Sequence, residues 1–266
     1  MDEKKRSTVI PVGKYKFYMD GYLQSNLTKV KALVKNDWDF IFVVDGMEGG
    51  GKSTITIQLA LYLNPNFTVE NIAFTSEEFE EKILKANKFD VIVYDEAITG
   101  LYSREAMKYI NTTLTKLLAQ IRQKNLFVFI LIPSFFDLDK YVSMWRGRGL
   151  FHIYTDDYKR GYFTFFNYDK KKTLYTLGKK YYNYNMVKPS FKGRFVSFNP
   201  FDKEYRKLKL KAIDKRQGQT IDPLLQRNRL MHHVWTKHGV QQKEMADIIG
   251  ISQSAVAHAC KQFKKE

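Results

Sequence analysis

Phe40-Ile41-Phe42-Val43-Val44-Asp45-Gly46-Met47-Glu48-Gly49-Gly50-Gly51-Lys52-Ser53-Thr54 is the stretch from which the rest of the chain can be read. Five consecutive apolar residues predict a buried strand. They run into a glycine-rich turn, and Ser53 to Leu63 continues as a helix. Gly46 to Ser53 fits the pattern G-x-x-x-x-G-K-S, in which glycines let backbone N–H groups turn inward around a phosphate where a side chain would collide. The dipole and free amides of the helix N-terminus add to that site. Gly46, Glu48, Gly49, Gly50, Gly51, Lys52, Ser53 and Thr54 are therefore the expected nucleotide-binding residues. Lys52 would bridge the β- and γ-phosphates of ATP, and the Ser53 hydroxyl would serve Mg²⁺.

Downstream, Val91 to Tyr94 is a second apolar strand and ends in Asp95-Glu96. A carboxylate at a neighbouring strand end can hold Mg²⁺ through its water shell, which is the role expected of Asp95. Glu96 stands where it could polarise a water attacking the γ-phosphate. A pair of carboxylates opening a solvated loop would read the same way. Further strands are expected at Ile72 to Phe74, Leu126 to Ile132 and Leu150 to Tyr154. Helices are expected at Leu23 to Val34, at Ser76 to Ala86 behind a Thr75–Glu78 capping box, and at Glu105 to Lys124. Apolar strands alternating with helices predict an α/β fold with a mainly parallel central sheet covered on both faces. Gly161 to Asn167 and Thr173 to Leu177 read as a β-hairpin about Tyr168-Asp169-Lys170-Lys171.

Gly46 to Ser53 together with Asp95-Glu96 resembles the additional-strand, catalytic-glutamate division of P-loop ATPases, over roughly residues 38 to 157. The resemblance implies a RecA-like or FtsK-HerA-like core. It also implies a polar sensor at the end of the next strand, for which Ser134 is the candidate, and an arginine supplied across a subunit boundary. Arg146 and Arg148, in Trp145-Arg146-Gly147-Arg148-Gly149, suit that role; surface charge or a DNA contact suits them equally. Ser134 departs from the more usual Asn, Gln or Thr, and no AAA+ lid is recognisable. The same loop is also similar to that of thymidylate kinases, where Arg104, Arg146 and Arg148 would become phosphate and lid arginines. Ala97 after Asp95-Glu96 breaks that family's pattern.

The chain has 44 Lys and Arg against 28 Asp and Glu, a formal charge of +16. That surplus points to an anionic partner, nucleic acid first, although an AT-rich genome also yields a Lys-, Asn- and Tyr-rich chain. Lys243 to His258 reads as a helix-turn-helix, with Ala246 at the helix crossing, Gly250 in the turn and Val256 packing back. Leu225, Leu230, Val234 and Trp235 would supply a third helix. Ser252 would cap the second helix and, with Gln253, Ser254, Ala255 and His258, face the DNA major groove; Lys261, Lys264 and Lys265 would lie near phosphates. Lys179-Lys180-Tyr181-Tyr182-Asn183-Tyr184 interleaves cations with rings, suited to stacking on unpaired bases or to a strand with a solvated face. Arg206 to Arg216 reads as a phosphate-following or linker helix.

The expected organisation is thus a lead-in helix at 1–36, a P-loop ATPase domain at 37–200, a basic linker at 201–220 and a helix-turn-helix domain at 221–266. No apolar run approaches the roughly 20 residues of a membrane span, and Cys260 is the only cysteine. These features suggest a cytoplasmic setting, that of a host if the chain is encoded by a virus or plasmid. The reading that follows is a DNA-dependent, Mg²⁺-dependent ATPase, a motor or remodeller working as a homo-oligomer in genome packaging or replication. An ATP-switched DNA-binding regulator or loader is the alternative, and a nucleotide kinase the third.

Overall fold

A computed structural model describes residues 7–95, 112, 115–117, 119–219 and 223–262. The chain divides into two compact units, Met1–Ala212 and Ile213–Glu266. The first is an α/β unit. Its seven-stranded sheet has the order β4-β5-β6-β3-β7-β8-β9. These strands are β3 (Phe40–Gly46), β4 (Ile72–Ala73), β5 (Val91–Asp95), β6 (Phe127–Leu131), β7 (Gly147–Asp156), β8 (Lys159–Phe166) and β9 (Phe191–Arg194). From β4 to β7 all pairings are parallel; β8 and β9 add on antiparallel. β6 thus lies between β3, which carries the glycine loop, and β5, which carries Asp95.

Each strand of the parallel part feeds two cores because successive side chains alternate between faces. Phe42 and Val44 belong to one apolar cluster, Ile41 and Val43 to the other. Phe42 stacks on its register partner Phe129 with ring centroids 4.9 Å apart. The first face is covered by helices α1 (Gly21–Lys35) and α2 (Lys52–Leu63). α3 (Ser76–Lys85), the helical residues Leu117 and Ile121, and α4 (Tyr168–Gly178) cover the second. α2 is buried over most of its circumference and is mainly apolar beyond its first turn, as suits a helix enclosed by other elements. Its buried Gln58 donates to the carbonyls of Val196 (2.7 Å) and Phe198 (3.0 Å), which ties the chain after β9 across its outer side.

Several elements differ from the sequence reading. Residues before α1 form an antiparallel hairpin, β1 (Ser7–Val12) and β2 (Tyr15–Asp20), whose Ile10, Val12, Phe17 and Met19 join the first core. Leu33 on α1 is exposed, and the buried stripe is Leu23, Leu27, Val30 and Val34. In α3 the Thr75 hydroxyl accepts from Glu78 N, but the Glu78 carboxylate reaches past Thr75 to Phe74 N (2.9 Å).

The hairpin expected across 161–177 lies one element earlier, between β7 and β8. Tyr168–Gly178 is helix because Asn167 caps it, its side chain accepting from Lys170 N at 3.1 Å. That cap turns Lys171, Leu174 and Tyr175 onto one buried helical face. Lys179 to Tyr184 is likewise not a strand but two tight 3-10 turns, Lys179–Tyr181 and Tyr184–Met186, hinged at a left-handed Tyr182. Arg206 to Arg216 falls within helix α5 (Asp202–Gln219), which contains the division between the units.

The second unit is a three-helix cluster: α6 (Pro223–His238), α7 (Gln242–Ile249) and α8 (Gln253–Gln262). Gly250 takes the left-handed turn (φ 73°), which a side chain resists. Met231, Met245, Ala246, Val256, Ala259 and Cys260 are its buried centre. Leu230 points outward instead, and Met231, one residue on, fills the position expected of it.

Lys171 is fully buried beneath α4, donating to the Ser143 carbonyl. Burial lowers its pKa from the ordinary 10.5 to about 7, helped by Lys172 and Arg148 nearby. Between those two values the unfolded chain holds a proton that the folded chain has released, so stability must rise with pH across that window. Below about 7 both states carry the proton and the effect levels off. Urea melts of Lys171→Met should therefore show a flatter pH profile than wild type between pH 7 and 10, by roughly 2–4 kcal/mol, and a more stable protein at pH 7.

Candidate functional site

The glycine loop owes its shape to three left-handed positions, Gly46, Gly49 (φ 73°) and Gly51. Gly46 adopts φ 128°, and a Cβ there would collide with the carbonyl oxygen of Ile153 on β7. Gly51, at φ 104°, starts α2, and a Cβ would press on the Phe195 ring at 3.0 Å. No side chain caps α2, so the amides of its first turn are available to a ligand. Lys52 folds back beneath the loop, its Nζ donating to the carbonyls of Gly46 (2.6 Å) and Met47 (3.1 Å). Burial lowers its pKa, while Asp95, Asp45 and Glu48 work against that shift.

Asp95, at the end of β5, is completely buried. Ser53 Oγ donates to Asp95 Oδ2 at 2.7 Å, joining the start of α2 to the acidic strand across the intervening β6. A third group closes the cluster. The Tyr205 hydroxyl, from the first turns of α5, donates to the same Oδ2 at 2.5 Å and stands 2.8 Å from Ser53 Oγ. Lys209 Nζ, one turn on, lies 3.9 Å from Asp95 Oδ1 and donates to the Tyr205 oxygen at 3.3 Å. Burial, and then the neighbouring Asp95 charge, push the Tyr205 pKa far up, so the phenol keeps its proton.

Beside this cluster opens a cavity of about 500 Å³. Glu48, Gly49, Gly51, Lys52, Ser53 and Thr54 line it, as do Arg160, Arg206 and Lys209. The nucleotide-binding residues expected from sequence are thus brought together, Gly46 and Gly50 contributing as loop backbone. Arg160, Tyr205 and Lys209 were not identified from sequence. Only the charge of the stretch beginning at Arg206 hinted at the helix that carries two of them.

The remaining candidates lie elsewhere. Ser134 caps its own turn, its Oγ accepting from Phe136 N at 3.3 Å, and is not among the residues lining the cavity. The loop root is instead braced by Asp45, another fully buried carboxylate. It accepts from Phe135 N (2.9 Å) and from the Tyr184 hydroxyl, and pairs with His152 Nδ1 (2.9 Å). Arg146, itself half-buried, holds an ion pair with the buried Asp39 at 2.7 Å. Arg148 lies over the Trp38 ring, its guanidinium carbon 4.8 Å from the centroid. Both arginines sit at the amino end of β3, a strand length of roughly 20 Å from the glycine loop. Glu96 and Arg104 lie outside the described residues.

In the second unit, the Ser252 side chain caps α8, accepting from Ala255 N at 3.3 Å. Ser252, Gln253, Ser254, Ala255, His258 and Lys261 are all exposed, while Val256, Ala259 and Cys260 between them are buried. Lys264 and Lys265 lie outside the described residues. Among those described, no helix is long and apolar enough to cross a membrane.

Comparisons with protein-family models, with curated proteins and with solved structures return no match to this chain. The site is therefore interpreted from its own chemistry.

Tyr205→Phe removes a donor from a buried carboxylate, a loss of about 1–3 kcal/mol. Its melting temperature without nucleotide should fall. If the site takes ATP with Mg²⁺ as the sequence leads one to expect, Mg²⁺-dependent affinity for a fluorescent ATP analogue should rise severalfold, because the competing hydroxyl is gone. Titration of wild type and variant with and without Mg²⁺ checks both effects.

Proposed function

We propose that this chain is a DNA-dependent ATPase with a RecA-like core. The observation that carries the proposal is the Ser53–Asp95 hydrogen bond at the mouth of a glycine loop that encloses Lys52. A strand inserted between the loop strand and the acidic strand is the arrangement expected of the additional-strand ATPases, and β6 occupies that position.

The residues fit ATP and Mg²⁺ chemically. Ser53 and Asp95 would hold the ion, a hydroxyl and a carboxylate being hard oxygen donors. When bound, Mg²⁺ neutralises charge on the phosphates and fixes their orientation. The loop amides and the first amides of α2 bind the phosphate oxygens, and Lys52 exchanges two backbone carbonyls for phosphate. Arg160 and Lys209 add positive charge on the open side, where Arg206 is paired with Asp202 at 2.8 Å. Glu96, directly after Asp95, takes a proton from the attacking water. The Tyr205 hydroxyl must withdraw from Ser53 and Asp95 for the site to load. Because Arg146 and Arg148 lie at the far end of the sheet, either would act only by docking that end on a neighbour's loop. The exposed face of α8 is the DNA reader in this proposal, and the chain works as a homo-oligomer.

The Tyr205 contact also favours a second reading, in which ATP displaces the phenol and switches a DNA-binding regulator without rapid turnover. Mg²⁺-dependent ATP hydrolysis, measured alone and with single- or double-stranded DNA, separates the two. The motor predicts stimulation by DNA, lost at least 100-fold in Glu96→Gln and in Lys52→Ala. Absence of hydrolysis under every condition, with DNA binding that still depends on ATP, would leave only the switch.

A further inference from the structure

We propose that the open face of β7, β8 and β9 is a stacking platform for single-stranded nucleic acid. α4 covers the Leu150–Phe166 end of this face and stops at Gly178. Beyond it the chain from Tyr181 to Pro189 walls the sheet rather than covering it, leaving a groove of about 600 Å³.

Strand register sets out the floor in rows. His152, Thr164 and Lys192 stand side by side on the three strands, and Tyr154, Tyr162 and Arg194 form the next row. Side chains level with one another on neighbouring strands share a face, so rings on β7 and β8 run toward the cations Lys192 and Arg194 on β9. Tyr154 and Tyr162 stack with centroids 5.7 Å apart, and Arg194 lies 4.9 Å over the Tyr162 ring. His152 stacks on Tyr184 at 3.7 Å. On the wall, Tyr181 is 68% exposed and Tyr182 55%.

Among the described residues lining the groove, Lys188 and Lys192 are charged positively and none is acidic. The Thr164 hydroxyl on the floor is buried without a hydrogen-bond partner. A groove meant for an apolar peptide would be lined with aliphatic side chains. Rings with flanking cations instead match unpaired bases on a phosphate backbone, since every base has a face to stack and every phosphate a charge to neutralise. A duplex offers no free base face, which selects single strands.

This inference rests on the proposed function only for nucleic acid as partner and not for ATP turnover. The test therefore uses the full chain without nucleotide. Fluorescence anisotropy follows labelled oligo-dT and oligo-U of about 12 nucleotides, within the range of known single-strand sites, beside a mixed-sequence duplex. Tyr154→Ser with Tyr162→Ser should weaken single-strand binding at least tenfold, whereas Tyr154→Phe with Tyr162→Phe keeps the rings and should bind as wild type. Lys192→Gln should reduce the slope of log affinity against log salt by about 0.7, the loss of one phosphate contact. Duplex binding should be indifferent to these changes and fall with Gln253→Ala and Ser254→Ala. Preference between the two oligonucleotides assigns the strand to DNA or RNA. Wild-type single-strand affinity in the serine variant, or loss of binding in the phenylalanine variant as well, would overturn the proposal, as would wild type that binds neither oligonucleotide.

Discussion

A carboxylate buried without partners costs several kcal/mol, and the architecture around Asp95 answers that demand. The register of the sheet puts Asp95 level with Leu131 on β6, and Leu131 level with Val44 on β3. α2 starts above the end of β3 and packs back over β3, β6 and β5, so its first turn passes over β6 and brings Ser53 to Asp95. Lys52 and Lys209 supply positive charge and Tyr205 a second hydroxyl. Those groups come in two pairs from distant parts of the chain, the start of α2 and the first turns of α5, and both pairs turn toward one buried charge. The same set of oxygens is what a hard cation beside a polyphosphate requires.

Asp45 repeats the arrangement two strands away, on β3. It fastens Gly46 to β7 through His152, to the turn after β6 through Phe135 N, and to the 181–189 wall through Tyr184. The loop therefore cannot shift without disturbing the floor of the neighbouring groove. A strand of nucleic acid stacked there and a nucleotide at the loop would share a boundary of a single peptide, Asp45–Gly46. Any difference in how the two ligands prefer that boundary appears reciprocally in both affinities.

The parts of this arrangement that are local in sequence could be read directly. The glycine loop, its flanking strand and helix, the acidic end of β5 and the Gly250 turn each depend on neighbours within a few positions. What could not be read is long-range. Tyr205 is 152 positions from Ser53, and nothing in a basic stretch marks one tyrosine as reaching a carboxylate. Arg146 precedes a strand as an arginine finger would, but sequence does not say that Asp39 holds it at the far end of the sheet. Thr173 to Leu177 is rich enough in β-branched and aromatic residues for a strand, and the Asn167 cap decides for helix. The fold class was legible because strands buried on both faces carry a strong signal. The closing residues of the site lie on an element whose composition is dominated by charge.

That composition bears on how easily the site opens. In the first-unit part of α5, the buried side chains are Tyr205 and Ala212, and most of the rest faces solvent. Its contact with Asp95 and Ser53 is made by one aromatic side chain, worth about 1.5–3 kcal/mol of burial, with hydrogen bonds each adding about 1 kcal/mol, while Ala212 and the partly buried Leu208 pack beside it on the first core. A ligand that binds the open form 10²- to 10³-fold better supplies a comparable 3–4 kcal/mol. In the proposed function, that is the scale of differential affinity a polyphosphate with its cation would need to displace Tyr205 from Asp95.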